Sequence, residues 1–150
     1  MRCPSGQTKT SARSWKSQPP PNFMSHQFSK HYTRDEARAL LPQIREWLRQ
    51  LEVLRASMKK HDQRLESLLD GGTDRGGQTV NDWVRTIADL QHVVSEFQSR
   101  GIIIKDPDRG LIDFPSIVGG KEVFLCWENG EADVEFWHDL ETGYGGREPL

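Results

Sequence analysis

The chain has few cysteines and no long apolar run, and each of these two features excludes a class of protein. Its 150 residues include two cysteines, Cys3 and Cys126, which cannot build a disulfide framework or a four-ligand zinc site. A reducing, cytoplasmic setting is therefore expected. The longest apolar runs, residues 102–104 and 123–127, fall far short of the roughly 20 residues that a membrane-spanning helix needs. We therefore expect no transmembrane segment and no membrane partner.

Acidic residues are absent from the first 34 positions, which carry six Lys or Arg. The rest of the chain carries 14 basic and 22 acidic residues, so its formal net charge is −8. Such a surface repels phosphate backbones unless its basic residues cluster. The pair Lys59-Lys60 is most simply the solvated side of a helix. Nucleic acid is therefore not an expected partner.

Apolar periodicity is also absent from the leader, residues 1–25, which is basic and rich in Ser and Pro. This composition predicts disorder, and Met24 is an alternative initiator. The folded domain is expected to be residues 26–150. We divide it into a helical hairpin (26–100), a β-meander (101–140) and a Gly-rich tail (141–150).

A capping-box pattern marks the start of the first predicted helix, with Thr33 followed three residues later by Glu36. Pro42 lies inside the helical pattern and predicts a kink, because its ring removes an amide donor and crowds the preceding turn. Beyond it, apolar residues recur every three or four positions until Asp70-Gly71 ends the helix. These residues are Ile44, Leu48, Leu51, Leu54, Met58, Leu65, Leu68 and Leu69.

A second helix is predicted after a Gly-rich linker, and Gly101 ends it. Its apolar stripe comprises Val80, Trp83, Val84, Ile87, Leu90, Val94 and Phe97. The two helices are similar in length, so the sequence predicts a long antiparallel hairpin. The apolar stripes could cover a sheet or pair with a second hairpin, and we expect self-association into a coiled-coil-like homodimer.

After Gly101 the apolar period changes from helical to alternating, which indicates strands. Two dipeptides, Gly119-Gly120 and Asn129-Gly130, predict two-residue hairpin turns with positive φ at both positions. The fold class is therefore α+β: a long antiparallel helical hairpin followed by a small antiparallel meander packed against it.

The two turns fix a register for the predicted sheet. Around the first turn, Ile112 lies opposite Trp127 and Phe114 opposite Leu125. Around the second, Leu125 lies opposite Val134.

Side chains on the two faces of this sheet differ in chemistry. The face predicted to pack on the helices comprises Ile112, Phe114, Val118, Val123, Leu125, Trp127, Val134 and Phe136, with His138 at its rim. The opposite face is predicted to carry Asp113, Glu122, Phe124, Cys126, Glu128, Glu131, Asp133, Glu135 and Trp137. Aromatic residues exposed among carboxylates are typical of a surface that binds a partner or a covering segment such as the tail.

From Tyr32 onward the chain resembles a bacterial family catalogued as domain of unknown function 2203. The motifs that carry the resemblance are Tyr32-Thr33, Glu36-Ala37, Leu40-Leu41-Pro42, Ile44-Arg45, Lys105-Asp106, residues 109–115, Leu125-Cys126-Trp127, Gly130-Glu131, Phe136-Trp137-His138, residues 143–147 and Pro149-Leu150. The resemblance implies no activity, substrate or catalytic residue.

The residues favour a cytoplasmic, non-enzymatic interaction or assembly protein that uses the acidic-aromatic sheet face to bind an unidentified protein partner. The reason is that neither a nucleophile with its base nor a phosphate loop is recognisable. Cys126 lies mid-strand without a positive neighbour in sequence, which is typical of an inert thiol. No cofactor is predicted. The binding candidates are Asp113, Phe124, Glu131, Trp137, His138 and Arg147.

The alternative is a metal- or small-ligand-dependent enzyme with a site around His138, Asp113, Glu131 and Arg147. A divalent metal would be held by Asp113, Glu131 and His138. The predicted register disfavours this site, because it places His138 on the face away from Asp113 and Glu131. A register that differs by one residue would bring them together. Arg147 is otherwise expected to pin the tail to a carboxylate.

Overall fold

A computed structural model describes residues 26–71 and 77–150, so the predictions for the leader and for most of the Gly-rich linker lie outside the described residues. Two helices are followed by an antiparallel sheet. The elements are α1 (Arg34–Asp70), α2 (Gly77–Ser99), β1 (Ile103–Asp106), β2 (Leu111–Val118), β3 (Lys121–Glu128), β4 (Phe136–Asp139), a short 3₁₀ turn (Tyr144–Gly146) and β5 (Glu148–Pro149). The predicted α+β class is confirmed.

Helix α1 begins at the predicted capping box. The Glu36 amide donates to the Thr33 hydroxyl (3.3 Å), and the Thr33 amide donates to the Glu36 carboxylate (2.8 Å). The helix then runs unbroken through Pro42 to Asp70, so the predicted kink is not shown. Leu41 and Ile44, on either side of the proline, are both fully buried, and this packing stabilises the helix across the missing hydrogen bond.

The sheet has five strands in sequential order, which confirms the predicted antiparallel meander. Its first predicted register is also confirmed: Ile112 pairs with Trp127 and Phe114 with Leu125. The turn between these strands, Gly119-Gly120, has φ values of 59° and 80°, as the predicted turn type requires.

The second predicted register is wrong by three residues, because Leu125 pairs with Trp137 rather than with Val134. A type I′ turn needs positive φ at both central residues, yet among the described residues only glycines have positive φ, so Asn129 does not qualify. Residues 131–135 instead leave the sheet before β4 begins at Phe136. Since side chains alternate along a strand, this odd shift moves every β4 side chain to the other face.

Arginines of α1 hold the segment that leaves the sheet. Asp133 accepts hydrogen bonds from Arg34 (3.0 Å) and Arg38 (2.8 Å), and these guanidinium groups hold the pKa of Asp133 well below its ordinary value. Arg45 donates to the carbonyl oxygen of Glu131 at 3.0 Å. These long-range contacts compete successfully with the local turn preference.

The main core lies between the hairpin and one face of the sheet. Its buried residues include Leu41, Ile44, Trp47, Leu51, Phe97, Ile112, Phe114, Leu125, Trp127 and Val134. Trp137 also packs against this core, although it was predicted on the other face. Its reassignment follows directly from the shifted register.

Segments from both ends of the domain cover the opposite sheet face, so its aromatic residues do not form an open partner surface, and the alternative of a covering segment is the one observed. We call residues 26–32 the strap. Within it, Phe28 packs edge-on against Phe124, with ring centroids 5.2 Å apart. Phe124 is consequently only 3% exposed. At the other end of this face, the guanidinium of Arg147 stacks over Phe136 at 4.3 Å.

Neither described helix has a stretch that is long and apolar enough to cross a membrane.

Candidate functional site

A buried polar cluster lies under the covered face of the sheet. It comprises Asp113 on β2, Cys126 on β3 and His138 on β4, and we call it the Asp113 cluster. The three side chains offer carboxylate, thiol and imidazole atoms that all lie within 4.8 Å of one another. The residues are 1%, 0% and 2% exposed, respectively. Strand pairing brings them together, because Asp113 is directly opposite Cys126 and β4 lies beside β3.

A hydrogen bond shows that Nδ1 of the His138 ring carries a hydrogen. Its Nδ1 lies 2.7 Å from the carbonyl oxygen of Asp139, and a carbonyl only accepts, so Nδ1 carries a hydrogen. The other nitrogen, Nε2, lies 3.2 Å from Oδ2 of Asp113. A neutral ring would then point a lone pair at a carboxylate. The contact is favourable when a hydrogen, carried by either partner, or a metal ion lies between the two atoms.

The carboxylate of Asp113 is incompletely satisfied. Among the described residues, its Oδ1 atom has no hydrogen-bond partner although it is buried. Nζ of Lys105 lies 3.8 Å from Oδ2, and the same ammonium stacks over Phe124 at 5.0 Å. A register shift between Ile104 and Asp106 places Lys105 at a bulge, a feature that re-aims side chains.

Cys126 is a protonated thiol in this setting. Burial, followed by the negative charge of Asp113, raises the pKa of Cys126 to about 12, while Arg147 acts in the opposite direction. The thiol is therefore not a nucleophile at neutral pH, as the sequence predicted.

Arg147 and Glu131 form a separate pair beside the Asp113 cluster. One guanidinium nitrogen of Arg147 donates to both Glu131 carboxylate oxygens, at 2.7 and 2.8 Å. The same guanidinium stacks on Phe136 and on Tyr144. The pair fastens the C-terminal tail to the sheet, in agreement with the structural role expected for Arg147.

The six predicted binding residues therefore divide into four groups. Asp113 and His138 meet, contrary to the predicted register. Glu131 and Arg147 meet each other. Phe124 is buried beneath the strap, and Trp137 belongs to the core face.

Sequence reasoning missed Cys126 as a member of the cluster. The signal was available, because the confirmed turn at Gly119-Gly120 pairs Cys126 directly with Asp113. Only the position of His138 depended on the turn that was predicted wrongly. The position of Lys105 near the cluster was not predictable, because the alternation of side chains along a strand does not reveal where a bulge lies.

Glu122 anchors the strap to this face. Its carboxylate accepts hydrogen bonds from the amides of Gln27 (2.7 Å) and Phe28 (2.9 Å) and contacts Nε2 of His31 at 2.7 Å. Burial alone would raise the pKa of Glu122, but the bonds from His31 and the two amides outweigh it and lower the pKa to about 2. His26 lies next to this group.

Replacing Glu122 with alanine should release residues 26–28 of the strap, while Tyr32 stays in place because its amide donates to the carbonyl of Pro115. The amides of Gln27 and Phe28 should lose their protection from hydrogen exchange, which NMR measures residue by residue. In the unmodified protein the same loss should occur in acid. Because the folded-state pKa is depressed, the stabilising contribution is complete above pH 4.5 and disappears as the pH falls toward 2.

The exposed Glu66 on α1 provides the matched control. The Glu66→Ala variant should keep both amides protected at neutral pH. Equal protection in the Glu122→Ala variant would contradict the assigned anchor.

Comparison with known proteins gives one match. The family described as uncharacterized conserved protein (DUF2203) matches residues 30–150. No curated protein and no solved structure matches the chain. The matched range contains the whole Asp113 cluster and all the strands.

Proposed function

We propose that this chain, which belongs to the uncharacterized conserved family DUF2203, is a cytoplasmic, non-enzymatic assembly protein that forms a homodimer through its helical hairpin. The distribution of burial along α1 carries the proposal. The fully buried residues of this helix lie between Ala37 and Leu51. The following residues, 52–70, extend for about 28 Å with α2 as their neighbour. A helix pair alone covers only part of its apolar surface.

An apolar groove runs between the two helices where this extension begins. It encloses about 330 Å³, and Val53, Leu54 and Val93 are its apolar lining. Val53 is 53% exposed, although a valine gains free energy by burial. In the same part of the hairpin, Leu69 on α1 and Val80 and Val84 on α2 are also exposed. Exposed apolar side chains of this number favour a binding surface.

A second copy of this chain suits the groove because its rim carries both signs of charge. Arg49 lies on the α1 side, where it also pairs with Glu46, and Asp89 lies on the α2 side. A two-fold dimer places the same patch on both copies, so the patch must be complementary to itself. An antiparallel approach would bring Arg49 of each copy to Asp89 of the other.

The covered sheet face supports the choice of the hairpin. The strap lies over Phe124, so a partner would have to displace it to reach the predicted acidic-aromatic residues. The Asp113 cluster is closed to solvent in the same way, and a closed site does not admit a substrate. Both observations favour assembly over catalysis.

A charge placed in the groove should dissociate the dimer. The Val53→Glu variant should elute as a monomer in size-exclusion chromatography with light scattering, while the unmodified 150-residue chain elutes as a dimer. The reason is that the dimer would bury two carboxylates against apolar side chains. Circular dichroism should show unchanged helix content, because position 53 is exposed in the single chain.

The matched control is Val118→Glu, at an exposed valine in the turn region of the sheet. This variant should remain dimeric. A dimer that survives Val53→Glu, or one that both variants dissociate equally, would place the interface elsewhere.

A further inference from the structure

We propose that Asp113, Cys126 and His138 bind one divalent transition-metal ion of the zinc class, in a closed site that ties together β2, β3 and β4. The proposal concerns a site distinct from the hairpin groove and does not depend on dimer formation. No metal was expected at Cys126 from the sequence, which suggested Asp113, Glu131 and His138. Glu131 is instead committed to Arg147.

The ring of His138 has the orientation of a metal ligand. A histidine that binds metal through one nitrogen commonly donates the other N–H to a carbonyl or carboxylate. Here the Nδ1–H donates to the carbonyl of Asp139, and the Nε2 lone pair is directed toward Asp113. A metal ion accepts that lone pair and removes its conflict with the carboxylate.

The unpartnered oxygen distinguishes a metal ion from a proton. A proton on Nε2 would satisfy only its contact with Oδ2, and Oδ1 of Asp113 would stay buried without a partner among the described residues. A metal ion can engage the carboxylate, the imidazole and the sulfur of Cys126 together. Buried polar groups without partners are costly, and the ion would supply the partner that Oδ1 lacks.

Distances and charge also suit such an ion. Zinc binds sulfur, nitrogen and oxygen at roughly 2.0 to 2.3 Å, so tetrahedral ligand atoms lie roughly 3.3 to 3.8 Å apart. The three ligand atoms here lie within 4.8 Å, and small side-chain rotations close the difference. On binding, the S–H bond of Cys126 breaks and a metal–sulfur bond forms. The thiol proton leaves to solvent, together with any proton held between Nε2 of His138 and Asp113. One thiolate and one carboxylate then neutralise the ion's two charges.

Two cations and one further carboxylate face the site. Lys105 lies 3.8 Å from Oδ2 of Asp113, and Arg147, paired with Glu131, lies close enough to influence Cys126. The side chain of Lys105 is 41% exposed and can turn toward solvent when the ion binds. Replacing Lys105 with methionine should therefore retain metal binding or tighten it.

Cobalt(II) is the probe that identifies the ligands. In the 150-residue chain carrying Cys3→Ala, one equivalent of Co²⁺ should produce tetrahedral visible bands and a thiolate-to-cobalt charge-transfer band in the near ultraviolet. Cys126 would be the only cysteine left, so the charge-transfer band assigns the sulfur ligand by itself. One equivalent of Zn²⁺ should bleach both bands and raise the thermal unfolding temperature.

Two further variants test independently whether Cys126 is a ligand. Adding Cys126→Ala to the Cys3→Ala chain should remove the charge-transfer band and lower the affinity for Co²⁺ at least tenfold. Glu122→Gln should leave both unchanged. This second control is needed because His26, His31 and Glu122 form another group of ligand atoms within 4.8 Å of one another.

Three results would overturn the proposal. In the first, the folded, metal-free protein binds no Co²⁺, and the contact of His138 with Asp113 is held by a proton. In the second, Co²⁺ binds without a thiolate band. In the third, the Cys126→Ala chain keeps the visible bands and the Co²⁺ affinity while Glu122→Gln loses them, which places the ion at the strap. Should the Cys126→Ala chain fail to fold, the band in the Cys3→Ala chain still decides the question.

Discussion

Replacing Gly110 with alanine should lower the free energy of unfolding by about 2 to 5 kcal/mol. Gly110 has a φ of +66°, a region that costs residues with a Cβ about 1 to 2 kcal/mol. A Cβ there would also lie 2.6 Å from the Cβ of Asn129 and 3.1 Å from Cδ1 of Leu48. Both neighbours are fixed, since the Asn129 amide donates to the Gly110 carbonyl and Leu48 is buried.

Gly119 separates the two causes of this loss. Its φ is +59°, but an added Cβ would meet no atom within 4 Å. Gly119→Ala should therefore lose only about 1 to 2 kcal/mol in the same urea unfolding experiment. Equal losses in the two variants would show that Gly110 packs less closely against Asn129 and Leu48 than described.

Replacing Trp127 with alanine should cost about 3 to 5 kcal/mol, because it opens a large cavity beneath the hairpin. Trp127 is fully buried at the centre of the core. Its indole N–H donates to the carbonyl of Glu131 at 3.0 Å, and Arg45 stacks over its ring at 5.3 Å. The variant therefore loses packing in the core and also loses a hydrogen bond to residues 131–135, the segment that the arginines of α1 hold.

Trp83 is the matched control for this truncation. It is partly exposed on α2, and its indole N–H donates to Asp62 at 2.9 Å. Trp83→Ala should cost roughly 1 kcal/mol, near the centre of the range for single substitutions. Urea unfolding followed by circular dichroism measures both variants. A comparable loss for the two would contradict the central place given to Trp127.

The parts of the fold that depend on local chemistry were predictable from the sequence. The capping box at Thr33, the two helical stripes and the turn at Gly119-Gly120 each act through neighbouring residues. The capping box and the turn agree with the structure, including the pairing of Phe114 with Leu125. The two stripes agree only in part, because Leu69, Val80 and Val84 are exposed. Pro42 is an exception in this group, since packing around it keeps the helix continuous.

The turn at Asn129-Gly130 failed because contacts from far along the chain decide it. Asp133 bonds to Arg34 and Arg38, which lie more than 90 positions away in sequence. Local propensity carries no information about such pairs. The resulting shift of three residues inverts β4, and this inversion moved Trp137 into the core and His138 toward Asp113.

The same inversion explains how much of the candidate site was predictable. Asp113 and His138 were recognised as chemically suited to metal, yet the predicted register separated them. The covering of Phe124 was not predictable in its details, because the strap that covers it precedes the first helix and is held by contacts from far along the chain. The amides of Gln27 and Phe28 donate to Glu122, and the amide of Tyr32 donates to the carbonyl of Pro115. The sequence suggested the tail as a covering segment, and Arg147 of the tail does stack over Phe136 at the other end of this face.

Oligomeric state is the property on which the proposed function depends most directly. The measurement is a native mass spectrum of the unmodified 150-residue chain, acquired at several protein concentrations. We expect the unmodified chain to be a dimer and to remain one at protein concentrations at which the Val53→Glu variant is monomeric. A chain that remains monomeric at every concentration would contradict assembly through the hairpin.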